Sequence, residues 1–474
     1  MLFNSFSFIL FFPIVTIAYF LLPFRFRWLW LLAASCFFYM AFIPVYIFIL
    51  ALTILVDYVA AILMERQTGS KRKLLLVVSI VSTALILFVF KYFNFFNDTF
   101  SSVAQLFSYQ VPAYVYNIIL PIGLSFHTFQ SMAYVIEVYR GNQKAEKNFV
   151  IYSLYVMFYP QLVAGPIERP QNLIHQFYEA HDFNYQNVTE GLKQMAWGFF
   201  KKLVIADRLA IYVNEVYNHP GKYEGAPVIL ATIFFAYQIY CDFSGYSDIA
   251  IGAARVMGFR LMKNFDNPYS SQSVTEFWRR WHISLSSWFK DYLFIPLGGS
   301  RVAVKKIYLN LAIVFVISGL WHGANWTFIV WGSLHALYVI AERFFGIATD
   351  KSSTENSTSN FYYKIPRQLF TFFLVCFAWI FFRANTVSDA FTLISSALHF
   401  SFHSTNLPAP GILYYCFSGI IILEIVQSLM KEKEFFSLLM SHPRWIRITA
   451  YHLLIISILA FGVFNNSSFI YFQF

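Results

Sequence analysis

Hydrophobic positions in this chain gather in long unbroken runs, not in the spaced stripes of soluble helices. Runs near the ~20 residues that cross a bilayer lie around 5–23, 26–43, 44–64, 74–96, 112–139 and 149–166. Others lie around 225–257, 305–321, 326–345, 367–382, 411–430 and 448–465. Segments 191–213, 276–298 and 386–400 are too short or too polar to cross by themselves. The pattern predicts an all-α polytopic membrane protein with about eleven to thirteen membrane segments, some of them re-entrant or interfacial. No internal repeat is visible, so residues 1–474 read as a single membrane domain whose motif-rich core runs over about 120–345. Between 166 and 300 the chain is polar, interrupted by Gly and Pro, and mixed in charge. Irregular backbone survives at membrane depth only when buried in protein or lining a cavity. The stretch Lys351–Asn360, KSSTENSTSN, reads as a mobile surface loop.

Composition agrees with the runs. The chain is 58% hydrophobic, 21% aromatic and only 12% charged, with a mean hydropathy of +0.56. A soluble protein is about 45–50% apolar and about 25% charged. The net charge of +10, from 34 basic against 24 acidic residues, sits mainly in short loops. That is the positive-inside pattern, and no nucleic-acid partner is expected. Arg25/Arg27, Arg66/Lys71/Arg72/Lys73 and Arg140/Lys144/Lys147 form three basic loops, and the loops near Ile43–Pro44 and Asn97–Val111 carry no basic residue. This alternation predicts an outside N-terminus. Lys431, Lys433, Arg444 and Arg447 would likewise lie inside, leaving Phe474 outside. Met1–Ser7 has no positive n-region and no small-residue cleavage site follows the first run, so that run is expected to be a retained span. Cys36, Cys241, Cys376 and Cys416 form no CxxC and read as small buried hydrophobes.

Against this apolar background, ionisable residues are conspicuous. Trp321-His322-Gly323 lies between the apolar runs Leu309–Leu320 and Trp326–Leu337, and an ionisable group at that depth is a functional candidate by default. Ser318, Gly319 and Gly323 are small enough to let helices approach closely. Asn325 is the (i, i+3) neighbour of His322 if the helix continues, and its amide could orient a ring or hold a carbonyl. Trp321 and Trp326 read as interface packing or as walls of a pocket. A second pair, Trp281-His282, lies in SSQSVTEFWRRWHISLSSWFKDYLFIPLGGS. Ser273-x-x-Glu276 is a capping-box pattern that starts a helix. Trp278, His282, Leu285 and Phe289 share a face if that helix runs on, with Arg279 and Arg280 beginning a basic edge suited to an interface. His282 reads either as a core histidine bonded to backbone or as a functional group. Asp242 and Asp248, in YCDFSGYSD, could order a histidine or line a polar route. His127, His335, Lys91 and Glu137 are among the other polar residues in apolar runs, and they read chiefly as helix-pairing groups. QLVAGPIERP, 161–170, reads as a re-entrant turn. With no HExxH and no paired-Cys spacing, no metal site is expected. There is no Walker loop, GxGxxG or GxSxG, so no covalent serine is marked.

These residues resemble the membrane-bound O-acyltransferase family, in its branch of alginate and peptidoglycan O-acetylases. The likeness runs through MLFNSFSFILFFPIV, LPIGLSFHTFQSMAYVIEVYRG at 120–141, FYPQLVAGPIERP at 158–170 and YCDFSGYSDIAIGAARVMGF at 240–259. It continues in NFDNPYSSQSVTEFWRRWHISLSSWFKDYLFIPLGG at 264–299, SGLWHGANWTFIVWG at 318–332, WIFFRA at 379–384 and the terminal FIYFQF. The resemblance implies a helical bundle around a funnel or tunnel, with the family's two marked histidines at His282 and His322 and the catalytic one at His322. It implies transfer of an acetyl group from cytoplasmic acetyl-CoA, a substrate and not a bound cofactor, towards a cell-surface polysaccharide across a bacterial inner membrane. A partner of the SGNH-hydrolase type would complete that transfer. Chemically, a thioester-to-hydroxyl transfer needs a base at the acceptor oxygen, and imidazole titrates in the right range. Trp278, Trp281, Trp321, Asn325, Arg280, Asp242 and Asp248 are the candidates for lining the donor path. Lys201, Lys202, Arg279 and Arg280 suit a phosphate-bearing donor or, as ordinary snorkelling charges, none. Two other readings stay open: D-alanyl transfer from a carrier protein to teichoic acid, and a proton-coupled transporter using the histidines as a relay.

Overall fold

A computed structural model describes residues 1–109, 120–163, 165–347, 361–399, 407–408, 410–429, 442–464 and 469–470. The Lys351–Asn360 loop, Lys431, Lys433, Ala164 of the re-entrant motif and Tyr471–Phe474 of the terminal motif lie outside the described residues. Every regular element among the described residues is helical, in keeping with the all-α expectation. Among the described residues seven helices are long and apolar enough to cross a membrane, from Tyr46–Glu65 to Arg444–Phe461. Other apolar runs form shorter helices, such as Phe6–Leu21, Phe24–Met40 and Leu124–Arg140. The polar segments 191–213 and 276–298 are broken into pieces by π-helical turns at Phe200–Ala206 and Lys290–Phe294. The chain divides into two compact units, Met1–Leu192 with Ala250–Met262, and Lys193–Ile249 with Lys263–Phe474.

In the first unit the local signals set the helix ends. Asn148 caps Phe149–Met157 by accepting the Val150 and Ile151 N–H groups. Gly141, at φ 81°, ends Leu124–Arg140 in the left-handed conformation. Arg72 donates to the carbonyls of Val138 and Tyr139, and the Glu65 carboxylate accepts the Ala145 N–H at 3.1 Å. The basic loops 66–73 and 140–147 therefore meet at one end of this unit. The segment expected as a re-entrant turn, 161–170, is non-helical in its described residues up to Pro170. After Met157 the chain leaves helical form, its described residues 158–163 and 165–168 are buried, and a helix resumes at Pro170. Within it Glu168, 1% exposed, accepts the Met262 N–H. Burial pushes the Glu168 carboxyl up to about 7, against the opposing pull of that N–H and of the Asn172 amide.

The second unit is built on a helical hairpin, Val304–His322 and Trp326–Phe344. A Cβ added to Gly319 would lie 2.2 Å from the Phe328 carbonyl oxygen, and one added to Gly332 would lie 2.3 Å from that of Phe315. Only glycine permits this approach, which is the close packing that the small-residue pattern predicts. Tight packing fixes the last turn of the first helix, where His322 sits, against the second helix.

Candidate active site

The 31-residue helix Ala226–Val256 carries Asp242 and Asp248. Gly198 and Gly245 pack backbone to backbone, a Cβ on either meeting the other's carbonyl oxygen at 2.6–2.7 Å. The adjoining π-helical turn Phe200–Ala206 then presents two consecutive lysines to this helix. Lys201 Nζ sits 2.5 Å from an Asp248 oxygen and donates to Ser244 Oγ at 2.9 Å. Lys202 Nζ lies 2.6 Å from Asp242 and 3.0 Å from Asp207. Burial would pull the Lys202 ammonium down, but the Asp242 and Asp207 carboxylates outweigh it and hold its pKa above the usual value. The expectation that Asp242 and Asp248 order a histidine is thus corrected: they neutralise buried lysines. Lys201 and Lys202 are 4% and 3% exposed, so they neither snorkel nor form a basic edge. The remaining Asp242 oxygen accepts the Ile470 N–H at 2.7 Å, and Phe469 stacks beside Phe243 and Tyr246.

Ser273 caps a helix as expected, accepting the Glu276 N–H at 3.0 Å, while the Glu276 carboxylate takes the Gln272 N–H. That helix, however, covers only Val274–Arg280. The chain breaks at His282, whose φ of 44° is left-handed, and a new helix spans Ile283–Phe289. The single face of Trp278, His282, Leu285 and Phe289 does not form, and the break turns His282 into the protein. Its ring is fully buried. Nδ1 lies 3.1 Å from Asn264 Oδ1, which also accepts the Ser284 N–H and hydroxyl. An amide oxygen can only accept, so Nδ1 carries the proton and Nε2 is left with the lone pair. Burial pushes this imidazole down to about 3, so it is neutral at physiological pH. Phe243 meets it edge-on at 4.6 Å.

His322, 3% exposed, is the last residue of its helix. Trp321 and Trp331 at 5.0 Å and Phe382 at 5.3 Å surround its ring edge-on. The Trp321 ring also lies 6.3 Å from His282, so one indole neighbours both histidines. Trp281, 1% exposed, packs on Phe265, Phe277 and Trp379 and is not among the residues that line the cavity described below. Asn325 does not continue the helix. It caps the next one, its Oδ1 accepting from Thr327 N and its Nδ2 donating to the Asn385 carbonyl at 3.0 Å. Its amide is committed to that turn and does not orient His322. Arg280 pairs with Glu276 at 2.6 Å and donates to Ser270 Oγ at 3.2 Å.

A cavity of about 330 Å³ opens in this unit. Trp278, Ile283, Phe289 and Phe315 line it, Arg279 and Lys290 are exposed at its rim, and Ser318 is among its lining residues. Ser318 lies one helical turn before His322 and on the same face. Asn264, which fixes the His282 tautomer, was not selected by sequence reasoning, and His335, which accepts the Trp278 indole N–H at 3.2 Å, was read there only as a helix-pairing group. The signal available was their position inside motif-dense or apolar stretches, but nothing local shows what their side chains touch.

The model of the membrane-bound O-acyltransferase family matches residues 143–386. The chain is 37% identical over 407 residues to the probable alginate O-acetylase AlgI of Azotobacter vinelandii, covering 84% of this chain and 78% of that one. It is 34% identical over 430 residues to a peptidoglycan O-acetyltransferase of Helicobacter pylori, covering 83% and 79%. Similarity to a teichoic acid D-alanyltransferase of Bacillus subtilis is weaker, 28% over 285 residues, covering 57% and 70%.

Proposed function

The chain belongs to the membrane-bound O-acyltransferase family and is a multi-pass membrane acyltransferase, and on that premise we propose that it moves acetyl groups from cytoplasmic acetyl-CoA for O-acetylation of a cell-surface polysaccharide, with His322 as base. The likeness to relatives named for alginate and peptidoglycan acetylation supports acetyl over D-alanyl transfer. One observation carries the mechanism: a cavity with a basic rim reaches within a turn of a buried histidine. Lys305 and Lys306 open the helix that His322 ends, and Arg343 closes the helix that follows. The positive-inside rule assigns those ends to the cytoplasm and His322 to the opposite, outward side. Together with the basic loops of the first unit, it supports a bacterial inner-membrane protein with an outside N-terminus.

In the step proposed, an acceptor hydroxyl attacks the thioester carbonyl while a ring nitrogen of His322 takes its proton. The tetrahedral intermediate collapses, the carbon–sulfur bond breaks, and the leaving thiolate recovers the proton. General-base assistance of this kind is worth about 10²–10⁴-fold. His282, held neutral by burial and oriented by Asn264, packs against Trp321 and helps to position it. An extracytoplasmic partner of the SGNH-hydrolase type receives the acetyl group and delivers it to the polymer. The test is purified protein with acetyl-labelled acetyl-CoA. Acetyl release dependent on His322 is the expected result; no turnover with acetyl-CoA but turnover with a D-alanyl carrier protein would reject the acetyl assignment.

A further inference from the structure

Trp278 lines the cavity and donates its indole N–H to His335 Nδ1 at 3.2 Å. His335 is completely buried on the Trp326–Phe344 helix. The indole packs against His335 at 5.0 Å and Trp331 at 5.7 Å between ring centroids, and against Phe315, which also lines the cavity, at 5.4 Å. Trp331 is also fully buried, so this side of the indole has no room to yield. The cavity side of the same ring is open. Ser318 lines the same cavity and sits one turn from His322. Trp278 thus shares with Ser318 the cavity that a thioester bound for His322 would use.

We propose that Trp278, locked in place by its hydrogen bond to His335, is the wall that restricts this enzyme to short acyl groups, with His335 acting as a positioning residue. The inference rests on the acyl-transfer reading above and adds what that reading leaves open: which donors the cavity accepts. The physical basis is steric and polar together. An added methylene must displace the indole, and the indole cannot move without leaving a buried imidazole nitrogen without its donor. A hydrophobic pocket discriminates one methylene by about 10–200-fold, so a rigid wall gives a steep fall along a homologous series.

The experiment uses the full chain, purified in detergent, with acetyl-, propionyl- and butyryl-CoA, reading kcat and KM for acyl release from each. The wild type is expected to lose at least tenfold in kcat/KM per added methylene. Trp278→Ala is expected to flatten that series by tenfold or more, with the gain in butyryl-CoA turnover appearing in kcat/KM. His335→Phe, which removes the acceptor, is expected to flatten it in the same sense, and His335→Gln, which keeps an acceptor, to restore the wild-type ratios. A merely structural role for His335 would lower all three donors equally. Trp278→Leu serves if the alanine variant does not fold. Unchanged ratios in folded Trp278 variants, or a wild type that uses butyryl-CoA as well as acetyl-CoA, would overturn the wall. A wild type that releases no acyl group from any of the three donors would instead reject the acyl-CoA reading on which the wall depends.

Discussion

Replacing Gly332 by alanine tests whether the hairpin sets the position of His322. The new Cβ would stand 2.3 Å from the Phe315 carbonyl oxygen, and real Cβ atoms essentially never come within 3.0 Å, so the two helices must part by about 0.7 Å. Alanine favours a helix over glycine by about 1 kcal/mol, whereas overpacking a fitted contact costs about 1–3 kcal/mol. The net sign is destabilising but within reach of a folded protein. The functional cost is larger, because a displacement near 1 Å at a catalytic group can lower turnover about 10²-fold. Gly319→Ala acts on the facing helix, with its Cβ 2.2 Å from the Phe328 carbonyl oxygen, and is expected to do the same. Gly411→Ala, with nothing within 4 Å of its Cβ, is the neutral control. The assay is acetyl release from labelled acetyl-CoA by monodisperse protein, at saturating donor, with thermal unfolding followed in parallel. A fall in kcat of roughly tenfold to a hundredfold with the fold retained is expected. More than half of wild-type turnover in both glycine variants would refute the claim that this contact holds His322 in register.

His322→Ala should leave the protein folded in membranes and lower acetyl transfer by about 10²–10⁴-fold; near-normal acetylation of the surface polymer would remove His322 from the chemistry. Lys202→Met leaves Asp207 and Asp242, both at most 5% exposed, without their shared cation, a loss of about 3–5 kcal/mol visible as a lower unfolding temperature in detergent. Adding Asp207→Asn and Asp242→Asn to it should recover part of that loss, and no recovery would mean the charges are not the cause. Glu168 gives a pH signature: its carboxyl is raised from 4.5 to about 7 in the fold, so the stability it contributes is complete below pH 4.5 and lost as pH rises through about 7. The span amounts to on the order of 3 kcal/mol, and Glu168→Gln should flatten that part of the stability–pH curve; an unaltered curve would count against a protonated Glu168.

The membrane architecture was legible because lipid burial is written locally, in runs of apolar residues with basic residues at one set of loops. The two histidines were legible for the same reason, since each is an ionisable ring in a setting where a polar atom is costly. What local pattern could not carry was the direction in which each ring points. Trp281-His282 contains no glycine or proline, so nothing in its neighbourhood announces the left-handed turn at φ 44° that carries the histidine off the expected helical face. The partner that sets its tautomer, Asn264, is 18 residues away in sequence, beyond any helical spacing rule. Lys201 and Lys202 misled in the opposite sense. Hydropathy treats a lysine as a surface charge, but a π-helical turn and a glycine pair bring both against carboxylates inside the protein. Asn325 carried a correct local signal that was assigned to the wrong element: asparagine two residues ahead of a threonine and two after a glycine is N-cap chemistry, and it ends the idea of a continuous helix past His322. The site is therefore specified in two layers. Sequence-local chemistry selects His282, Trp321 and His322. Groups distant in sequence complete it: Asn264 sets the His282 tautomer and His335 accepts the Trp278 indole N–H. Substitutions in the second group should accordingly alter selectivity and proton placement before they abolish turnover, whereas substitutions at His322 should act on turnover first.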